Sequence, residues 1–90
     1  MPGFVVELTH RAQKDFRDLD NKIREKVTHA IDELEHNPAP IDKFDVTKLS
    51  GTASDYRIRI QHIRIQYTVD WKEKKVIVYS IQRKKDRTYK

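Results

Sequence analysis

Arginine is concentrated in one short segment of the sequence. The segment reads YRIRIQHIRIQY, in which apolar residues alternate with basic ones on both sides of Gln61 and His62. Strict alternation of this kind is typical of two half-buried antiparallel strands joined by a two-residue turn. One face of the hairpin is then apolar, and the other carries the guanidinium groups of Arg57, Arg59 and Arg64. The planar guanidinium fork suits phosphate oxygens, so the cluster indicates either a phosphate site or the solvated face of a basic sheet.

The two halves of this segment also predict a register. With Gln61 and His62 as the turn, the facing pairs are Ile60 and Ile63, Arg59 and Arg64, Ile58 and Ile65, Arg57 and Gln66, and Tyr56 and Tyr67. Like charges that face each other across two strands are destabilising, whereas opposite charges contribute about 0.2–1 kcal/mol. A hairpin selected for stability alone would not pair Arg59 with Arg64, which favours an anion between the arginines.

Size and charge limit the class of protein. We expect residues 1–90 to form a single domain, with one layer of helices on one sheet. There is no cysteine, which excludes disulfides and thiolate metal sites. The 19 Lys and Arg residues outnumber the 14 Asp and Glu residues, and the net charge of +5 favours a polyanionic partner. No apolar run is long enough for a membrane span or a signal peptide, so we expect a cytoplasmic protein with no membrane contact.

Hydrophobic periodicity predicts the elements that position the hairpin. The apolar segment from Phe4 to Leu8 predicts a first strand buried in the sheet. Thr9 can cap a helix that opens at His10 and ends near Asp20 and Asn21, one of which caps a second helix. The second helix has apolar residues at intervals of three and four, namely Ile23, Val27, Ala30, Ile31 and Leu34. The sheet is the only predicted element against which this apolar stripe can pack.

Two more strands complete the predicted sheet, Phe44 to Leu49 before the hairpin and Val76 to Ile81 after it. The second hairpin strand should continue to Trp71. The predicted fold class is therefore α+β, with two N-terminal-half helices packed on one face of a small, mainly antiparallel, twisted β-sheet.

The register between the last two strands decides which residues join the arginines. A loop centred on Glu73 and Lys74 pairs Trp71 with Val76 and Tyr67 with Ser80. Carried onward, this register places Arg83 opposite Arg64 and Tyr79 on the arginine face, whereas a bulge would invert the placement.

The aromatic residues and histidines have simpler interpretations. Tyr67 and Trp71 lie on the apolar side of the hairpin, where packing in the core or at its rim is favoured over base stacking, whereas Tyr79 could stack on a base. His62, at the turn, is expected to be solvated. The other histidines lack the spacing of metal ligands.

An ordered set of short motifs resembles the RelE/ParE toxin superfamily. The motifs are KFDVTKL and the overlapping KLSG between Lys43 and Gly51, YRIRI from Tyr56, R-x-x-Y from Arg64, DWK from Asp70, and Arg83 followed six residues later by Tyr89. The set covers nearly the whole chain and is most similar to the archaeal RelE branch. The resemblance implies a RelE-like domain that acts as the toxin of a type II toxin–antitoxin system. RelE-type members are ribosome-dependent endoribonucleases that cleave mRNA in the A site, with the RNA's own 2′-hydroxyl as nucleophile and with no metal or other cofactor.

The resemblance also implies roles for single residues. Arg57 and Arg59 match a basic pair near the scissile phosphate, often lysines in relatives, and Arg64 matches the arginine that stabilises the phosphorane. Arg83 matches a residue implicated as general acid, and Tyr89 matches the tyrosine that positions the nucleotide. Arginine is a poor proton shuttle, so replacement of the lysines leaves the general base unassigned. The base is then Tyr89 or a group of the ribosome, or the reaction proceeds by positioning of the RNA without a base.

The implied partners are a RelB-like inhibitory antitoxin, mRNA and the ribosome, with operator DNA contacted only through the toxin–antitoxin complex. Contacts to rRNA are expected from Lys84, Lys85, Arg87 and Lys48. Two alternative functions remain open. One is a ParE-like inhibitor of DNA gyrase, against which the arginine and tyrosine set argues, and the other is a non-enzymatic basic RNA-binding module with a decayed site.

Overall fold

The fold is an open five-stranded sheet with two helices on one face. The structure, a computed structural model, describes residues 3–51 and 53–83. In chain order the elements are β1 (Val5–Leu8), α1 (His10–Arg17), α2 (Asn21–Leu34), β2 (Asp45–Lys48), β3 (Asp55–Ile60), β4 (Ile63–Asp70) and β5 (Lys75–Arg83). The strand order is β1-β5-β4-β3-β2, with β1 parallel to β5 and every other pair antiparallel. The predicted fold class is confirmed.

Side chains cap the start of both helices. Thr9 Oγ1 accepts a hydrogen bond from the Ala12 N–H at 3.1 Å, and Asp20 Oδ1 accepts one from the Ile23 N–H at 3.0 Å. These caps satisfy backbone donors that a helix cannot pair internally. Helix α1 ends at Arg17, earlier than predicted, because Asp20 must adopt an extended backbone (φ −74°, ψ 167°) to cap α2.

The core lies between the helices and the face of the sheet that they cover. It is built from helix and loop residues and from alternate strand residues, which are Ala12, Leu19, Ile23, Val27, Ala30, Leu34, Ile58, Ile63, Ile65, Tyr67, Val69, Val76, Val78 and Ile81. Tyr67 is fully buried, and Trp71 lies at the rim with its ring edge-on to Phe4. Both aromatic residues therefore have the packing role that their position on the apolar side of the hairpin predicted.

The central hairpin has the predicted register throughout. Its pairs run from Ile60 and Ile63 at the turn to Tyr56 and Tyr67, with Arg59 directly opposite Arg64. The two-residue turn requires a positive φ of 55° at Gln61, a conformation that costs a non-glycine residue free energy. The strand pattern therefore sets the register although the turn residues are unfavourable.

The register between β4 and β5 differs from the predicted one. The loop is Trp71 to Lys74, so Asp70 pairs with Lys75, and Tyr67 pairs with Val78 instead of Ser80. A bulge at Tyr79 then shifts the remaining pairs by one residue, which reverses the face of every side chain beyond it. Gln82 therefore lies opposite Arg64, and Arg83 lies opposite Ile63. The prediction that Arg83 faces Arg64 was wrong.

A hydrogen bond from α1 accompanies the bulge. Strand β1 ends opposite Val78, so among the described residues no strand pairs with β5 on that side beyond this point. Asp15 Oδ2 accepts the Ile81 N–H at 3.0 Å and supplies the missing acceptor. The end of β5 is thus held by a helix side chain.

Strand β1 lies at an edge of the sheet, so the prediction that it is buried within the sheet was wrong. Among the described strands it pairs with β5 alone, and Val5 is 59% exposed. The Lys75 ammonium lies 3.8 Å from the Glu7 carboxylate across this pair. No helix among the described residues is both long and apolar enough to cross a bilayer.

Candidate functional site

Three arginines share the sheet face that the helices leave uncovered. Residues opposite one another on neighbouring strands project from the same face. One row across the sheet is Asp45, Arg59, Arg64 and Gln82, and the next is Thr47, Arg57, Gln66 and Ser80. The Cβ atoms of directly opposite residues lie about 4.5–5.5 Å apart, and those of diagonal neighbours about 7–8 Å. The three long arginine side chains can therefore reach one phosphate group between them.

Arg59 is partly neutralised by a carboxylate. Its Nη2 atom lies 3.2 Å from Asp45 Oδ2 on the neighbouring strand, and just over half of each side chain is exposed. An exposed pair of this kind stabilises a protein by about 0–1 kcal/mol. It reduces the repulsion between Arg59 and Arg64 and keeps the Arg59 guanidinium at the surface of the sheet.

Arg57 and Arg64 have no such partner in the part of the chain that the structure describes. Neither forms a salt bridge within residues 3–51 and 53–83, and both side chains are half-buried. The Nε of Arg64 is buried and has no hydrogen-bond partner among the described residues. A buried donor without an acceptor costs free energy, and an anion in contact with this guanidinium would repay part of it.

The structure does not bring Arg83 onto the arginine face. Arg83 lies opposite the buried Ile63 and lines a cavity of about 330 Å³ with Asp15, Asp18 and two apolar residues. These carboxylates belong to α1 and to the turn that follows it. The role of general acid that the resemblance implies for Arg83 stays a prediction, but the predicted placement of Arg83 opposite Arg64 is wrong.

Lys48 is also separated from the arginines. It pairs with Tyr56, whose ring stacks on Tyr67 at a centroid distance of 5.7 Å, so its position belongs to the core side of β2. Val46, two residues earlier, pairs with the buried Ile58 on the same side of the strand. The other predicted site residues, Lys84, Lys85, Arg87 and Tyr89, lie outside the described residues.

Tyr79 lies at the bulge, close to the arginine rows. Burial raises the pKa of its phenol, and the negative charge of Asp55 raises it further. Ile77 lies opposite Thr68 in the row next to Gln66, so alternation along β5 places Tyr79, two residues later, over the uncovered face. Tyr79 therefore lies on the predicted face of the sheet, although the predicted register between β4 and β5 was wrong.

Comparison with known proteins identifies the family. Residues 14–90 match the family model described as Phage derived protein Gp49-like (DUF891). The curated "Putative toxin RelE1" of Methanocaldococcus jannaschii is 38% identical over 81 residues, which cover 90% of each chain. The chain belongs to the RelE toxin family.

Solved RelE-family structures share this fold. The archaeal RelE–RelB complex from Pyrococcus horikoshii OT3 contains a chain that matches with a TM-score of 0.82 and 30% identity, over 90% of this chain and 94% of that one. The intact E. coli RelBE toxin–antitoxin complex gives a TM-score of 0.76 and 26% identity, over 93% and 99% of the two chains. The helices and the five strands are thus features of RelE-family members at low sequence identity.

Reasoning from the RelE-like motifs missed two residues of the site. Asp45 is the D of the KFDVTKL motif, and Gln82 lies directly opposite Arg64. The alternation of the segment from Phe44 to Leu49 places Asp45 on the polar side of its strand. Nothing local to that strand indicates that its neighbour is Arg59, because the pairing joins segments separated by a loop.

Proposed function

We propose that this RelE-family chain is the toxin of a type II toxin–antitoxin system and that it cleaves mRNA in the ribosomal A site as a metal-independent endoribonuclease. The observation that supports this most is the cluster of Arg57, Arg59 and Arg64 on one uncovered face, where two of the three have no carboxylate partner among the described residues. The relatives named RelE, and those solved in complex with RelB, support the same proposal.

The cluster suits one reaction of RNA. When the 2′-oxygen attacks the adjacent phosphorus, negative charge builds on the non-bridging phosphate oxygens. Cations that already point at those oxygens lower the barrier, because no reorganisation is needed during the reaction. Holding the 2′-oxygen in line with the leaving 5′-oxygen can contribute about 7–11 kcal/mol in favourable cases. Arg57, Arg59 and Arg64 would hold the phosphate in this scheme.

The remaining predicted residues belong to the same proposal. Tyr89 positions the nucleotide, and Lys84, Lys85, Arg87 and Lys48 contact rRNA. Arg83 assists the leaving oxygen only if the bound RNA reaches the end of β5 from the other side of the sheet.

The partners follow from the proposed activity. A RelB-like antitoxin inhibits the chain by covering its basic surface, and operator DNA is contacted only through that complex. The substrate is mRNA on the ribosome, so the site of action is the cytoplasm. The single domain spans residues 1–90.

Primer extension on mRNA in ribosomes with an empty A site tests this proposal. The comparison is between the wild type, Arg64→Ala and the matched control Arg17→Ala, each with and without ribosomes. Arg17 is an exposed arginine on α1, so its loss changes the net charge equally without touching the arginine face. We expect ribosome-dependent cuts in A-site codons by the wild type and Arg17→Ala, and a loss of about 100-fold or more in Arg64→Ala.

The absence of cuts by folded wild-type protein, on ribosomes matched to its source, would overturn the proposal. Inhibition of gyrase by the same preparation would then support ParE-like activity. Equal loss in both variants would show that net charge, and not the arginine face, carries the effect.

A further inference from the structure

A carboxylate lies beside the arginine cluster. Asp45 Oδ2 is 3.2 Å from Arg59 Nη2, and about half of its side chain is exposed. Within the two rows that hold Arg57, Arg59 and Arg64, Asp45 is the one acidic residue. It belongs to the edge strand β2, so a bound molecule can approach it both from the uncovered face and from the side of the sheet.

The arginine cluster lacks a group that can take a proton. Guanidinium remains protonated in proteins, and it has no acceptor for the hydrogen of a 2′-hydroxyl. A general base must lie within hydrogen-bond reach of that hydroxyl, directly or through one water. Among the residues of the two rows, the carboxylate of Asp45 meets the chemical requirement.

We propose that Asp45 is the general base that activates the 2′-hydroxyl of the RNA. This inference rests on the proposed function. Asp45 Oδ takes the 2′-hydroxyl proton as the 2′-oxygen forms its bond to phosphorus. The bond from phosphorus to the 5′-oxygen then breaks, and the leaving oxygen takes a proton from water. The products are a 2′,3′-cyclic phosphate and a 5′-hydroxyl, and Asp45 returns its proton to solvent.

The ion pair with Arg59 fits this assignment. Guanidinium has five N–H donors, so Arg59 can hold the Asp45 carboxylate and a phosphate oxygen at the same time. A phosphate bridging Arg59 and Arg64 would lie one strand away from Asp45, on the side where the attached ribose can extend over β2. Arg59 thus positions the base and binds the reacting group together.

Other charged groups surround Asp45 and could also affect a pH profile. A cavity of about 420 Å³ between α2 and the edge of the sheet is lined by Asp45, Arg59, Glu25, Lys26, His29 and Lys43, with two apolar residues. Lys43 is paired with Glu33 at 3.3 Å, and the His29 ring packs against Phe44 at a centroid distance of 6.0 Å. His29 carries the one imidazole in this set and therefore has its own control.

Single-turnover cleavage of ribosome-bound mRNA at saturating toxin tests the assignment, measured from about pH 6 to about pH 8.5. The variants are Asp45→Asn, Asp45→Glu, the charge control Asp42→Asn and the imidazole control His29→Gln. Asp42 is an exposed loop carboxylate, so its substitution changes the net charge equally. Ribosome binding by each variant, measured in the same samples, shows that it is folded.

We expect Asp45→Asn to bind ribosomes and to cleave about 100-fold or more slowly at neutral pH. Without the base the 2′-hydroxyl must lose its proton to hydroxide, so the residual rate should rise about tenfold per pH unit towards the wild-type rate. Asp45→Glu keeps a carboxylate and should retain the wild-type pH profile. Asp42→Asn and His29→Gln should match the wild type.

Two results would overturn the inference while the proposed function stands. One is wild-type cleavage by Asp45→Asn, and the other is a loss that is equal at every pH, since an electrostatic role for Asp45 alone would not change the slope. If the wild type itself does not cleave, the proposed function and this inference fail together.

Discussion

The hydroxyl of Tyr67 donates a buried hydrogen bond of 2.7 Å to the backbone oxygen of Pro38. Tyr67 lies in the middle of β4, and Pro38 lies in the loop that follows α2. The bond therefore connects β4, the central strand, to the loop that leads into β2. Strand β2 pairs with β3, which carries two of the three arginines. It satisfies both a buried phenol and a backbone carbonyl in the core.

Removal of this hydroxyl should destabilise the fold. Tyr67→Phe leaves the ring in place and the Pro38 carbonyl without its donor, which costs about 1–3 kcal/mol for a buried group. We expect the urea midpoint to fall with little change in the slope of the unfolding free energy. Tyr56→Phe, on the ring that stacks on Tyr67, is the matched control and should cost less. Equal losses would show that the hydroxyl bond to Pro38 is not the stabilising contact.

The same phenol should make the fold sensitive to alkali. Burial, and to a lesser extent the neighbouring Tyr56, raise the pKa of Tyr67 far above its usual value. The unfolded chain ionises this group from about pH 10 and the folded chain only at higher pH, so the free energy of unfolding should decrease by up to about 1.4 kcal/mol per pH unit above pH 10. Urea unfolding at several pH values checks this, and Tyr67→Phe should show a shallower decrease. Parallel decreases in the two proteins would assign the effect to other groups.

The bond between Asp15 and the Ile81 N–H should stabilise the end of β5. Asp15→Ala leaves this partly buried donor without an acceptor, and we expect a loss of about 1–3 kcal/mol. Hydrogen exchange at the Ile81 amide should accelerate at the same time. Asp18→Ala, which removes an exposed carboxylate just after α1, is the control. Unchanged exchange in Asp15→Ala would show that β5 holds this register by its strand pairs alone.

The bulge should make two arginines contribute unequally to the proposed cleavage. Arg64 lies on the arginine face, whereas Arg83 lies opposite Ile63 beside Asp15 and Asp18. We expect Arg83→Ala to slow single-turnover cleavage on the ribosome less than Arg64→Ala does. An equal or larger loss in Arg83→Ala would mean that the bound RNA contacts both sides of the sheet.

Local patterns predicted most of the fold. Short segments of sequence were sufficient to predict the helix caps at Thr9 and Asp20 and the register of the central hairpin, because each depends on residues close together in the chain. The RelE-like motifs pointed to the correct family for the same reason. The end of α1 was misplaced because Asp20 serves the next helix, which a single segment does not reveal.

The sequence by itself determined that three arginines share one face, because the alternation of the hairpin strands requires it. The tertiary structure decided what surrounds them. A strand that pairs from beyond a loop brings Asp45 to Arg59, and a bulge beside α1 turns Arg83 away from Arg64. Both outcomes depend on contacts between residues far apart in the chain, where a shift of one residue changes the face of every side chain that follows.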